Sequence, residues 1–103
     1  MIKLIGGRNT GKTKLLLEAA NKVQGTVLAE NKEALRVKAN AYGFYDVNII
    51  NYQDLYDGNY YYGEPLFIQK AELFLQTVAQ QHGLDLQGLT FTEDKEWFIL
   101  IDM

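Results

Sequence analysis

Residues 4–13 read LIGGRNTGKT, and this stretch contains a complete G-x-x-x-x-G-K-S/T motif. The fixed positions of the motif are Gly6, Gly11, Lys12 and Thr13. The motif follows a short apolar run, Ile2 to Ile5, and precedes a segment with helical periodicity. A phosphate-binding loop requires this context, because a strand has to lead into the loop and a helix has to begin at its end. The stretch therefore predicts an α/β fold with a phosphate site between a strand and a helix.

The residue types of the motif suit phosphate chemistry. Glycines at positions 6, 7 and 11 allow positive φ, so the N–H groups from Gly7 to Thr13 are expected to surround phosphate oxygens at the positive end of the helix. Lys12 is expected to reach the β- and γ-phosphates, and the Thr13 hydroxyl to bind magnesium. The alternative is a glycine-rich turn with a chance lysine. The predicted ligand is ATP or another nucleoside triphosphate, with Mg²⁺ as a candidate ion, and the predicted binding residues are Gly6, Gly7, Arg8, Asn9, Thr10, Gly11, Lys12 and Thr13.

Length and composition limit the other classes of function. The chain has 103 residues, 48% of them hydrophobic, which predicts one P-loop-like domain over residues 1–103. Its net charge of −3 makes nucleic acid an unexpected direct ligand. The absence of cysteine excludes disulfides and thiolate metal sites. No apolar run approaches the roughly 20 residues that cross a bilayer, and the start MIKLIGGRNT lacks a signal-peptide pattern, so we expect a cytoplasmic protein with no membrane partner.

Strand and helix signals alternate along the chain, which predicts a mostly parallel sheet flanked by helices in a minimal P-loop domain. Strands are predicted at 2–5, 26–29, 47–50, 66–68, 89–92 and 97–101. Helices are predicted at 13–22, from the cap Asn31 to about 41, and from 71 to the QHG at 81–83, with a helical turn at 52–56. Gly25 and Gly43 are predicted to end the first two helices. The first strand is expected to lie inside the sheet, and no other strand order is assigned.

The helices are predicted to pack through apolar faces. The first helix offers Leu16, Ala19, Ala20 and Val23, and the second a less regular stripe of Ala34, Leu35, Val37 and Lys38. The last helix offers Ala71, Phe74, Leu75 and Val78, which follow the helical period closely.

Hydrolysis needs a second part, a carboxylate on a neighbouring strand that holds magnesium. An acidic pair would be expected after the strand at 66–68, but Gln69 and Lys70 follow it. The segment WFILIDM at 97–103 is an apolar strand that does end in a carboxylate, Asp102. Pattern alone therefore favours Asp102 as the metal partner of Thr13, provided that the terminal strand lies beside the first strand.

Three segments give the chain a resemblance to a known family. They are MIKLIGGRNTGKTKLLLEAANK at 1–22, NIINYQDLYDG at 48–58, and LFIQKAELFLQ at 66–76 followed by LDLQGLTFT at 84–92. The chain resembles the small P-loop proteins encoded by tailed phages and prophages of Gram-positive bacteria, which are described as ATP-binding. The resemblance implies a host bacterial cytoplasm as the location. It also implies that Gln69 and Lys70 occupy positions where an acidic pair usually binds magnesium.

The change at these two positions has a physical consequence. Gln69 removes the anion that holds the metal, and Lys70 places a positive charge where a carboxylate would orient water. We therefore expect a nucleotide-binding protein with weak or absent hydrolysis. One alternative is an interaction protein on the same scaffold that inhibits a host enzyme or defence system. Another is a slow ATPase in phage DNA metabolism, which would need Asp102.

The loop YDGNYYYGEP at 56–65 is a candidate surface for a protein partner, because tyrosine supplies rigid contact area. Its tyrosines are Tyr56, Tyr60, Tyr61 and Tyr62. The alternative is a hairpin or loop whose tyrosines fold onto the sheet.

Overall fold

A computed structural model describes residues 2–7, 11–60 and 64–90, together with the backbone of 98–100. In chain order the elements are β1 (Lys3–Ile5), α1 (Lys12–Val23), β2 (Thr26–Leu28), α2 (Lys32–Ala41), β3 (Asn48–Ile50), α3 (Tyr52–Tyr56), β4 (Leu66–Ile68), α4 (Ala71–Gln81) and β5 (Phe98–Leu100). The predicted helices are confirmed, as are the strands that correspond to β1 to β5. The predicted strand at 89–92 is not confirmed, because 89–90 are not in a strand and 91–92 lie outside the described residues.

The described strands form two parallel sheets. β2 pairs with β3 on one side and with β4 on the other, and Leu28 is aligned with both Ile50 and Ile68. All three strands therefore end at one edge of this sheet. β1 pairs with β5 in a separate two-stranded ladder that aligns Ile5 with Leu100. The α/β class with a parallel sheet flanked by helices is confirmed, whereas the expectation that β1 lies inside the sheet is not.

The core lies on both faces of β2, whose side chains alternate between two apolar clusters. One cluster contains Leu17, Ala20, Val27, Ala29, Leu35, Ala39 and Val47, and it joins α1 and α2 to the sheet. On the other face Leu28 packs with Ile50 and Tyr52, and Phe74 of α4 adds an edge-to-face contact with Tyr52 at a ring-centre distance of 5.3 Å. A strand covered on both faces has to be apolar throughout, and this explains the uninterrupted run at 27–29.

The predicted helix faces are partly wrong. The buried residues of α1 are Leu17 and Ala20, while Val23 is 52% exposed. In α2 they are Leu35 and Ala39, while Val37 is 69% exposed. The error has a simple cause in α1: residues 15–17 are all leucine, so periodicity cannot fix which side of the helix faces the sheet.

The role predicted for Gly25 also needs correction. Gln24, not Gly25, takes the left-handed conformation that ends α1, with a φ of 53°. Gly25 is needed for another reason, which is the close approach of two chain segments. A Cβ atom at this position would lie 2.8 Å from the backbone oxygen of Pro65 and 2.8 Å from the Phe67 ring.

Gly25→Ala is therefore expected to lower the free energy of unfolding by about 1–3 kcal/mol, because a backbone oxygen cannot move aside as a flexible side chain can. Urea denaturation measures the change. Gly88→Ala is the matched control, since a Cβ there meets nothing within 4 Å and φ is not left-handed. Equal stability of the two variants would contradict the close approach.

Candidate phosphate-binding site

Gly11 sets the conformation with which the motif enters α1. It is the N-cap residue of this helix and has a φ of 82°, a value that strains any residue with a side chain. The prediction of a left-handed glycine is therefore confirmed at Gly11. It is wrong at Gly7, whose φ lies outside that range. Among the described residues, a Cβ at either glycine would meet nothing within 4 Å.

The Lys12 ammonium lies at this loop. Its Nζ donates to the carbonyl oxygen of Gly6 and, at 2.5 Å, to that of Gly7. Because Gly6 directly follows β1 and Lys12 begins α1, the contact joins the two ends of the motif. The ammonium thus lies at the loop, and its contact with phosphate stays a prediction. Three other predicted binding residues, Arg8, Asn9 and Thr10, lie outside the described residues.

β4 brings Gln69 to the same place. The backbone N–H of Gln69 donates to the carbonyl oxygen of Leu28 at 3.0 Å, which holds the residue at the edge where the strands end. Its side-chain Nε2 then donates to Oγ1 of Thr13 at 3.2 Å. The residue found in place of the expected carboxylate therefore touches the motif directly. Sequence reasoning identified Gln69 only as a departure from a pattern and missed this contact.

Comparison with known proteins does not assign the chain to a family. No protein-family model, no curated protein and no solved structure matches the chain. The resemblance to phage P-loop proteins thus stays a prediction, and the site has to be argued from its own geometry.

The predicted metal partner, Asp102, lies outside the described residues. Its predicted role requires the terminal strand to lie beside the first strand, and β5 does pair with β1. Within the described ranges, no group of three or more histidine, aspartate or glutamate side chains is arranged to hold a metal ion. Of the two predicted metal ligands, only Thr13 can therefore be placed, and its described partner is the amide of Gln69.

Lys70 follows Gln69 in an unfavourable conformation. It is the N-cap residue of α4 with a φ of 55°, and its exposed side chain makes no capping hydrogen bond. A left-handed conformation costs about 1–2 kcal/mol for a residue other than glycine. A positive charge at a helix N-terminus is also repelled by the helix dipole. Two destabilising features thus coincide next to the residue that contacts Thr13.

Lys70→Gly is expected to raise the free energy of unfolding by about 1 kcal/mol, because glycine adopts positive φ without strain and carries no charge. Thermal and urea denaturation measure the gain. Gln24→Gly is the matched control, since Gln24 has the same backbone strain at the C-terminus of a helix. At low salt we expect the gain in the free energy of unfolding to be larger for Lys70→Gly than for Gln24→Gly. A loss of stability would mean that the lysine side chain makes a stabilising contact.

The tyrosine-rich loop divides between the core and the surface. Tyr60 is partly buried against the cluster of Leu28, Ile50 and Tyr52, in agreement with the alternative of tyrosines folded onto the sheet. Tyr56 is 45% exposed and stays a candidate contact residue. Tyr61 and Tyr62 lie outside the described residues.

An ion pair that sequence reasoning missed fixes α3 at the end of β3. Lys32 Nζ lies 2.8 Å from Asp54 Oδ2, and Asp54 also forms a capping box with Asn51. The hydrogen bond from Lys32 and then that from the Asn51 backbone N–H lower the pKa of the Asp54 carboxyl below its ordinary value. A lowered carboxyl pKa stabilises the fold above the unfolded-state pKa, and this stabilisation is lost as the pH falls through the folded-state value. The pair thus contributes to the fold at neutral pH.

An open groove of about 410 Å³ lies between α2 and β3. Two cations line this groove. Arg36 donates to the backbone oxygens of Val47 at 2.6 Å and Phe44 at 2.7 Å, and Lys32 forms the ion pair with Asp54. These cations thus make structural contacts within and between the elements that line the groove.

Among the residues described, no helix is long and apolar enough to cross a membrane.

Proposed function

We propose that the chain is a nucleotide-binding protein of the P-loop type, which binds ATP or another nucleoside triphosphate and hydrolyses it weakly or not at all. The observation that carries the proposal is the Lys12 ammonium, which lies on the carbonyl oxygens of Gly6 and Gly7 within a complete motif between β1 and α1. The proposed setting, from the resemblance, is the cytoplasm of a bacterium that hosts a phage or prophage.

Binding follows from exchanging weak acceptors for strong ones. The two carbonyl oxygens that now accept from Lys12 are neutral, whereas phosphate oxygens carry negative charge, so the exchange adds a charge–charge attraction to each hydrogen bond of the ammonium. Gly11 opens the helix with a backbone that only glycine adopts easily, which directs the first N–H groups of α1 toward the loop. Lys12, the Thr13 hydroxyl and these N–H groups together form a polyphosphate site.

Weak hydrolysis follows from the groups at the end of β4. Hydrolysis needs a metal to neutralise developing charge and a carboxylate or amide that orients the attacking water. Gln69 is neutral and already donates to Thr13, and Lys70 carries a positive charge. The end of β4 thus supplies no carboxylate to hold a metal or to take a proton from the attacking water. We therefore expect phosphate release from ATP in the presence of the protein to be slow or absent.

The second candidate function is an interaction protein that inhibits a host enzyme or defence system. One observation favours it: no residue of α4 is buried, and large apolar side chains are exposed along this part of the chain. They include Leu66, Leu75, Leu84 and Leu89, which are 41–64% exposed. Exposed apolar surface of this kind is typical of contact with another protein.

Calorimetric titration with ATP, pyrophosphate and adenosine tests the proposal. We expect ATP and pyrophosphate to bind and to compete with each other, while adenosine alone gives no heat, because the residues proposed for binding suit phosphate and none is proposed to contact a base. Binding of adenosine with no effect of pyrophosphate would contradict the proposal. No heat from any of the three compounds would also contradict it and would favour the interaction protein.

A further inference from the structure

We infer that the site takes its nucleotide as the metal-free polyphosphate, with Gln69 and Lys70 standing where a magnesium ion and its carboxylate would be. The inference rests on the proposed function and adds to it the chemical form of the ligand.

The residues around Thr13 do not fit magnesium. Mg²⁺ needs near-octahedral oxygen ligands at about 2.0–2.1 Å and is usually held by one or two carboxylates together with substrate phosphates. The oxygen that the motif offers is Thr13 Oγ1, and the Gln69 amide donates an N–H to it at 3.2 Å. The N–H group of the amide, which carries a positive partial charge, therefore faces the oxygen atom that a cation would have to bind. If the amide is turned by half a turn, its oxygen accepts the hydroxyl proton, and the group still supplies no negative charge.

Gln69 is fixed in this position. Its backbone N–H pairs with the Leu28 carbonyl at the end of the sheet, and α4 begins two residues later. The side chain is half-buried between β4 and α1. A metal ion would thus have to displace a side chain that is anchored at its backbone and hydrogen-bonded at its tip.

Lys70 supplies the charge that the metal would otherwise bring. It follows Gln69 directly, it is exposed, and within the described part of the chain it forms no ion pair. Its left-handed backbone costs stability, and strain of this kind persists in proteins where function requires it. The exposed Lys70 ammonium, on a flexible stem one residue after Gln69, can neutralise phosphate charge without a fixed coordination geometry. Binding should then respond to the nucleotide and not to the magnesium concentration.

The test compares ATP affinity in excess Mg²⁺ with affinity in EDTA. For the wild type we expect the two dissociation constants to agree within about threefold, a difference below 1 kcal/mol. Gln69→Asp places a carboxylate against Thr13 and is expected to bind ATP at least about tenfold more tightly with Mg²⁺ than without it. Gln76→Asp, at an exposed position of α4, makes the same charge change away from Thr13 and should behave as the wild type does.

The outcomes separate this inference from the proposed function. If the wild type binds ATP only in the presence of Mg²⁺, the inference is overturned while nucleotide binding stands. If that dependence disappears in Asp102→Asn, the metal partner is Asp102 and the inference is again overturned. If ATP binds in neither buffer, both proposals fail. Should Gln69→Asp not fold, the wild-type comparison decides, and Gln69→Ala is expected to remain insensitive to Mg²⁺.

Discussion

Lys12→Ala is expected to weaken ATP binding by about a hundredfold or more, since it removes the ammonium that donates to the carbonyl oxygens of the loop. Each hydrogen bond from a charged donor contributes about 1.5–3 kcal/mol, and Lys12 has two acceptors at present that a phosphate would replace. Calorimetry gives the affinity, and circular dichroism verifies that the variant is folded. In the Lys12→Ala variant, water can hydrogen-bond to the two glycine carbonyl oxygens. The free energy of unfolding should therefore change little.

Lys14→Ala is the matched control for this variant. Lys14 belongs to the same helix and carries the same charge, but its Nζ lies 5.6 Å from the centre of the Tyr42 ring. We expect its affinity for ATP to stay within about threefold of the wild-type value. Comparable losses in the two variants would indicate a diffuse charge effect. Wild-type affinity in Lys12→Ala would contradict phosphate binding by the loop.

Leu17→Ala is expected to lower the free energy of unfolding by about 2–5 kcal/mol, the range for removing a large buried side chain. Leu17 is 0% exposed and packs in the cluster that contains Val27 and Leu35, so it anchors α1 to the sheet. Small domains have a total stability of about 5–15 kcal/mol, and the loss is therefore a large share. Urea denaturation measures it.

The control for Leu17→Ala lies two residues earlier in the same helix. Leu15 is 42% exposed, and Leu15→Ala should cost less than about 1 kcal/mol. The pair also tests how α1 is rotated against the sheet, which periodicity predicted only in part. A larger loss at Leu15 than at Leu17 would show that the helix packs through a different face.

Sequence predicted the elements well where local chemistry marks their ends. The Asn31 side chain accepts from the Ala34 N–H at 3.0 Å, as a helix cap should, and Gly43 and Gly83 have φ values of 85° and 71° just after helices. These signals act within a few residues of the chain. Sequence reasoning can therefore evaluate them without any tertiary information.

What sequence could not predict depends on contacts between distant segments. Gly25 has to accommodate Phe67 and Pro65, and the left-handed residue that ends α1 is Gln24. β1 pairs with β5, and Asp102 is a candidate metal partner of Thr13 only because of this pairing. In the site, Gly11 and Lys12 were predictable because the motif is local. The contact of Gln69 with Thr13 was not, because it depends on how β4 is positioned against α1.

Backbone amide NMR during a titration with ATP tests directly the claim that the loop between β1 and α1 binds polyphosphate. We predict that the largest shifts occur at Gly7, Gly11, Lys12 and Thr13, and that pyrophosphate reproduces them. Saturable shifts confined to other parts of the chain, such as α4 or the groove between α2 and β3, would contradict the claim. So would a spectrum that ATP leaves unchanged.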